Sequence, residues 1–121
     1  MIFTNGQRVV DPNDPLHKIW LIDNGFRRFL DNPVNVALFI DMIGTIADTT
    51  INNIPIGLPM PLGATLQTGS ATNALFLVES TACRRLVLNG TVFTRWRLNP
   101  AKVQSVDPST LLAIPHGPDI T

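Results

Sequence analysis

A single series of residue classes occurs twice in this chain, and few folds accommodate that. The stretch "KIWLIDNGFRRFL" covers 18–30, and "ALFLVESTACRRLVL" covers 74–88. Each is an apolar run, an acid, a small polar turn, a pair of arginines and another apolar run. Trp20-Leu21-Ile22-Asp23 corresponds to Phe76-Leu77-Val78-Glu79, and Arg27-Arg28 to Arg84-Arg85. Farther on, Ile54-Pro55-x-Gly57 corresponds to Ile114-Pro115-x-Gly117. The agreement runs nearly end to end and divides the chain into two tandem modules, 1–60 and 61–121. Two copies are fewer than a solenoid needs, so a pseudo-two-fold pair sharing one core is expected.

Within a module, Asn24-Gly25 between apolar runs is a strong hairpin signal, because both turn positions need positive φ. Strands are expected over 7–11, 18–23 and 26–31, and over 64–68, 74–79 and 83–88. The register sets Trp20 opposite Phe29 and Leu21 opposite Arg28. In the second module a loop Ser80-Thr81-Ala82 is one residue longer, and Phe76 falls opposite Leu86. Asn32 and Asn89 are placed to cap a short helix. Its apolar stripe would be Val36, Phe39 and Ile40, or Val92, Phe93 and Trp96. Asp48 and Asp107 stand where a second, one-turn helix can start, with Pro108 at its first position. The fold class is therefore α+β: two tandem pseudo-symmetric modules, each a three-stranded antiparallel meander plus one or two short helices.

Both hairpin faces carry apolar residues: Trp20, Ile22 and Phe29 on one, Ile19, Leu21, Phe26 and Leu30 on the other. Such a sheet is covered on both sides. Helices can cover one, and the other module or another subunit the second. A module of this size is insecure alone, so packing explains why it is written twice.

Only 15% of the 121 residues are charged, against 45% apolar, well under the usual charged share. Some apolar surface is thus expected to meet a partner, and a homo-oligomer is one such expectation. Nine basic residues balance nine acidic ones, so no net field attracts nucleic acid or an anionic membrane. No apolar run is long enough for a membrane helix. The N-terminal stretch lacks the pattern of a signal peptide. Cys83 is the single cysteine, which excludes an internal disulfide and a cysteine metal cluster; a packed thiol is expected.

Catalytic motifs are missing. His17 and His116 sit in proline-flanked loops without metal-ligand spacing. The Asp-x-x-Asp of "DPNDP" would suit calcium, but an Asx-turn with proline accounts for the same residues. No phosphate loop, dinucleotide fingerprint or nucleophile elbow occurs. The chain is expected to be no enzyme and to need no cofactor or metal.

The segments "IWLIDNGFRRFLDNP" with "NNIPIGLPM", and "LFLVES" with "RRLVLNG" and "LLAIPHGPDI", resemble a repeated bacterial module of about 50–60 residues. Its pattern is Leu-Ile-Asp-Asn-Gly-x-Arg-Arg-x-Ile-Pro, a short helix with Phe, then Ile-Pro-x-Gly-Pro-x-Ile. The resemblance covers nearly the whole chain. It implies a non-catalytic unit found in tandem in secreted or surface-associated proteins. Here Leu30-Asp31 and Val87-Leu88 replace the Ile-Pro, and the helix region "VNVALFIDMIG" is unusually apolar, which points to self-association.

Two readings of the arginine pairs follow. In one, Asp23 with Arg28 and Glu79 with Arg85 are ion pairs along the hairpin. In the other, an acid, an amide and an arginine beside an aromatic form a sugar site. Trp20, Asp23, Asn24 and Arg27 would be the first such site, and Phe76, Glu79, Ser80 and Arg84 its weaker copy. The expected function is a lectin-like module that binds a carbohydrate or cell-surface polymer, two sites adding avidity. The alternative is a structural or interaction module that forms a homo-oligomer through its apolar hairpin and helix faces.

Overall fold

The computed structural model describes residues 3–40, 45–69, 74–80 and 83–121, with the backbone alone at Ser80. The fold is α+β, with two four-stranded sheets of like order and short helices. The first sheet contains β1 (Arg8–Val10), β2 (Ile19–Asp23), β3 (Phe26–Leu30) and β4 (Ile46–Ala47), in the order β3-β2-β1-β4. The second contains β5 (Thr65–Gly69), β6 (Leu75–Ser80), β7 (Cys83–Leu86) and β8 (Val103–Val106), in the order β7-β6-β5-β8. Helix α1 (Asn32–Leu38) follows β3, and α2 (Gly90–Arg95) follows β7. A 3₁₀ turn over Thr49–Asn53 and helix α3 (Pro108–Leu112) occupy matching places later in each module.

The hairpin register is as expected. Trp20 pairs with Phe29, Leu21 with Arg28, and Phe76 with Leu86. Asn24 and Gly25 both have positive φ, as the tight turn requires. The second hairpin shifts register between Val78 and Ser80, next to its longer turn; Thr81, Ala82 and the side chain of Ser80 lie outside the described residues. The meander gains a fourth strand that sequence reasoning missed. β4 lies parallel to β1, and β8 parallel to β5. A parallel partner needs a crossover, and the helix-containing segment after the hairpin supplies it.

Three caps are as read: Asn89 accepts from the Val92 amide at 2.9 Å, Asp48 from Thr50 at 2.9 Å, and Asp107 from Ser109 at 3.3 Å. At α1 the cap is Asp31, not Asn32. The stripe of that helix is also corrected. Val34, Asn35 and Leu38 are buried, while Val36 and Ile40 are exposed. The helix ends at Leu38, so Phe39 turns inward from extended backbone. In the second module Val92 and Trp96 are buried, as expected.

Each hairpin is covered twice. One face of the first packs Val9, Ile22 and Ile51, joined by Trp20, Ile46 and Ile54. The same face of the second packs Phe76, Val78 and Leu111. The opposite faces meet each other in one shared core, with Leu21, Leu30 and Leu38 against Leu66, Leu77, Trp96 and Leu98. The backbone stitches this seam: Phe39 bridges Leu98 antiparallel, the Asn99 amide donates to Leu38 O at 2.8 Å, and Ile40 to Arg97 O at 2.9 Å. Trp96 lies directly on Gly6, where a Cβ would meet the indole.

Candidate functional site

The Ile-Pro-x-Gly arms explain the arginine pairs. Each arm runs parallel to the outer strand of its hairpin. The Arg27 amide donates to Pro55 O at 2.8 Å, and Gly57 to Arg27 O at 2.9 Å. Arg84 and Gly117 repeat this, at 2.9 and 2.8 Å. The side chains clasp the arm from both faces. On one face Arg27 Nε donates to Ile54 O and Arg84 Nε to Ile114 O, both at 2.9 Å. On the other, Arg28 Nε donates to Leu58 O at 2.7 Å and Arg85 Nε to Pro118 O at 2.8 Å. The motif glycine allows the close approach: a Cβ on Gly57 would come 3.0 Å from Phe26 Cβ, and one on Gly117 would strike Cys83 Sγ.

Arg28 and Arg85 then reach the seam, where they meet Asp23 and Glu79. The expected pairs within each hairpin form, Arg28 to Asp23 at 2.9 Å and Arg85 to Glu79 at 2.7 Å. The two-pronged pairs, however, cross between modules. Arg28 donates to both oxygens of Glu79, at 2.6 and 2.9 Å, and Arg85 to both oxygens of Asp23. Burial alone would raise the Asp23 and Glu79 carboxyls, but the arginine hydrogen bonds outweigh it and hold both below their ordinary range. Burial likewise opposes the charge on Arg28 and Arg85, and the carboxylates more than restore it. An open cleft of about 570 Å³ lies over this quartet, rimmed by Phe26, Leu58, Cys83 and Pro118. Burial pushes the Cys83 thiol up, away from thiolate reactivity.

The residues read as one sugar site therefore separate. Trp20 and Arg27 share the face away from the seam, with the guanidinium 4.4 Å from the indole centroid. Phe29 meets the indole edge-on at 6.1 Å. Asp23 is on the opposite face, buried in the quartet, because positions an odd number apart alternate sides of a strand. Asn24 belongs to the exposed turn, where its amide donates to Asn5 Oδ1 at 2.9 Å. The second set separates in the same way. Arg84 lies over Phe76 at 5.2 Å, and Glu79 is at the seam.

Around Trp20 and Arg27 the structure assembles a groove of about 460 Å³ with Asp11, Lys18, Asn52 and Ile56. Sequence reasoning missed these partners. Asp11 and Asp14 shape the loop between β1 and β2. Asp11 accepts from the Asn13 amide at 2.9 Å, and Asp14 from Leu16 at 2.9 Å and Lys18 at 3.1 Å. These are the expected Asx-turns, and the Leu16 amide leads in holding the Asp14 carboxyl below its ordinary value. Asn52, from the 3₁₀ turn, donates to Asp11 Oδ2 at 2.8 Å and fixes the far wall. Among the described residues no three His, Cys, Asp or Glu cluster as a metal site would need. No described helix is long and apolar enough to cross a membrane.

No model of a known protein family matches the chain, and no curated protein matches it. Among solved structures it is similar to a chain in the periplasmic assembly from the ESX-5 inner membrane complex. The match has 16% identity and a TM-score of 0.34, and covers 97% of this chain but 35% of the other. A likeness at that score carries no argument about what this chain does.

Proposed function

We propose that this chain is a non-catalytic binding module for a carbohydrate or cell-surface polymer, with one principal site in the groove of the first module. The observation that carries the reading is the union, in one open groove, of a fixed guanidinium, an amide, carboxylates and an apolar wall. Polymer recognition needs this mixture, since planar polar groups bond hydroxyls while apolar surface covers ring faces. The groove's carboxylates accept hydrogen bonds from their own loop, which suits positioning better than proton transfer. The resemblance to tandem surface modules agrees with this reading.

The site is revised from the residues first considered. Trp20 and Arg27 remain, joined by Lys18, Asn52 and Asp11. Asp23, Asn24 and Glu79 belong to the seam and its turn. Screening the labelled protein on a broad array of glycans and surface polymers tests the reading, with Arg27→Ala as the control. Selective signal lost in the variant is the expected result. A blank array from folded protein would overturn it.

A second reading, the interaction module, has its own support. Val36 on α1 and Ile40 just beyond its end are 58% and 50% exposed. A self-associating face there would make Val36→Asp lower the mass of the particle in solution, with the groove unaffected.

A further inference from the structure

We infer that the groove of the first module selects an anionic group on its polymer, a carboxylate or a phosphate, and that Arg27 and Lys18 receive it. The inference rests on the carbohydrate reading above and narrows it.

Two observations point this way. The first is what covers Trp20. A neutral sugar ring is held by stacking on a bare indole face, but here the Arg27 guanidinium occupies a face at 4.4 Å. The partly buried side chain also packs against the apolar cluster of Val9, Ile22 and Ile51. On that face the tryptophan is a platform for the arginine. Arg27 itself lines the groove beside it.

The second is the state of that guanidinium. Arg27 is tethered through Nε to Ile54 O at 2.9 Å, through its ring stack, and through backbone bonds on both sides of the arm. Its Nη1 and Nη2 have no acceptor among the described residues, and neither Arg27 nor Lys18 has an ion-pair partner there. Arg28, the next residue, spends both Nη groups on carboxylates. The two acids that line the groove accept from other groups, Asp11 from Asn13 and Asn52, and Asp14 from the Leu16 and Lys18 backbone amides, so neither accepts from Arg27, while Asp14 also feels the charge of Lys18. A pre-oriented guanidinium edge matches the two oxygens of a carboxylate or phosphate, and the ammonium of Lys18 adds a mobile second charge. Because stacking and the Nε bond already fix the fork, little ordering entropy remains to oppose binding.

The test uses the full chain, titrated with three oligomers of equal length: a polyuronate as carboxylate source, a polyol phosphate as phosphate source, and a neutral glucan. Heat of binding and tryptophan fluorescence are read at low and at physiological salt. At least one anionic oligomer should bind about tenfold or more tightly than the neutral one, and lose affinity with salt. Which anion binds identifies the source of the charge. Arg27→Lys keeps the charge but removes the fork, and should weaken binding about tenfold. Lys18→Gln, which leaves the arm clasp intact, should weaken it severalfold and reduce the salt dependence. Equal binding of the neutral and anionic oligomers, or no loss in either variant, would overturn the inference and leave the carbohydrate reading standing. No binding of any of the three, with a blank array, would remove both.

Discussion

Arg27 over Trp20 and Arg84 over Phe76 are the same device in the two modules, yet among the described residues it is Arg27 that lines a polar groove. The clasp to the arm is alike in both, at 2.9 Å to Ile54 O and to Ile114 O. What differs is the surroundings. In the first module the loop 11–18 joins β1 to β2 and brings Asp11 and Lys18 alongside Asn52. In the second, only 70–74 joins β5 to β6, and Phe76 is 8% exposed. The hollow near Phe76 is a small apolar one of about 160 Å³ beside Leu111 and Leu112. The repeated motif therefore builds the scaffold, and in the first module the loop 11–18 adds the polar wall beside the arginine.

The sharpest way to break the likeness between modules is at the quartet they share. Arg85 is the more enclosed of the two seam arginines, with its side chain 3% exposed against 12% for Arg28. Arg85→Met leaves two buried carboxylates facing one arginine. Removing one partner of a buried ionic network costs on the order of 3–5 kcal/mol. Denaturant unfolding should show Arg85→Met well above Arg28→Met in cost, and both far above Arg84→Met. Equal costs for Arg84→Met and Arg85→Met would mean that the quartet does not lock the modules together.

Acid should attack the same lock. Asp23 and Glu79 have carboxyls held below their ordinary range in the folded chain. Such groups contribute stability that is present above the unfolded-state value and is lost as pH falls through the folded one. The melting temperature should therefore drop as pH falls below about 4. Asp23→Asn should start lower and show a shallower acid limb. Asp14→Asn, at the exposed loop, leaves the quartet intact and should keep the steep one.

Much of this architecture was legible, and the parts that were not share a cause. The hairpins, their register and three of four caps rest on local signals: an Asn-Gly turn, alternation, and Asn or Asp before a helical run. β4 escaped notice because two residues, Ile46 and Ala47, are too few to show a period, and their partner β1 is distant in sequence. The crossed pairing of Arg28 with Glu79 and Arg85 with Asp23 escaped because it forms only when two modules face each other. The error at Asp23 was avoidable. Alternation alone puts it on the face of Leu21 and Arg28, opposite Trp20 and Arg27. Asp11, Lys18 and Asn52 carried no signal as a group, since only the fold brings the loop and the 3₁₀ turn together.

The smallest expected effect separates the two arms. Gly57 and Gly117 hold the same place in the motif, but their neighbours differ. A Cβ at Gly57 would meet Phe26 Cβ at 3.0 Å, a contact relieved by a shift of a few tenths of an ångström between the arm and the first residue of β3. A Cβ at Gly117 would strike Cys83 Sγ, with Arg85 Cγ at 3.3 Å behind it. That side chain is pinned through Nε to Pro118 O and through the quartet, so the sulfur has to turn away towards the cleft. Gly117→Ala should therefore cost about 1–3 kcal/mol, the usual range for overpacking, and Gly57→Ala less. Because one atom causes the clash, Cys83→Ala should rescue most of the loss at Gly117 and none at Gly57. Unfolding measurements on the double-mutant cycle read this coupling directly. Additive costs would show that the arm yields instead of the thiol, and that the second arm is held no more tightly than the first.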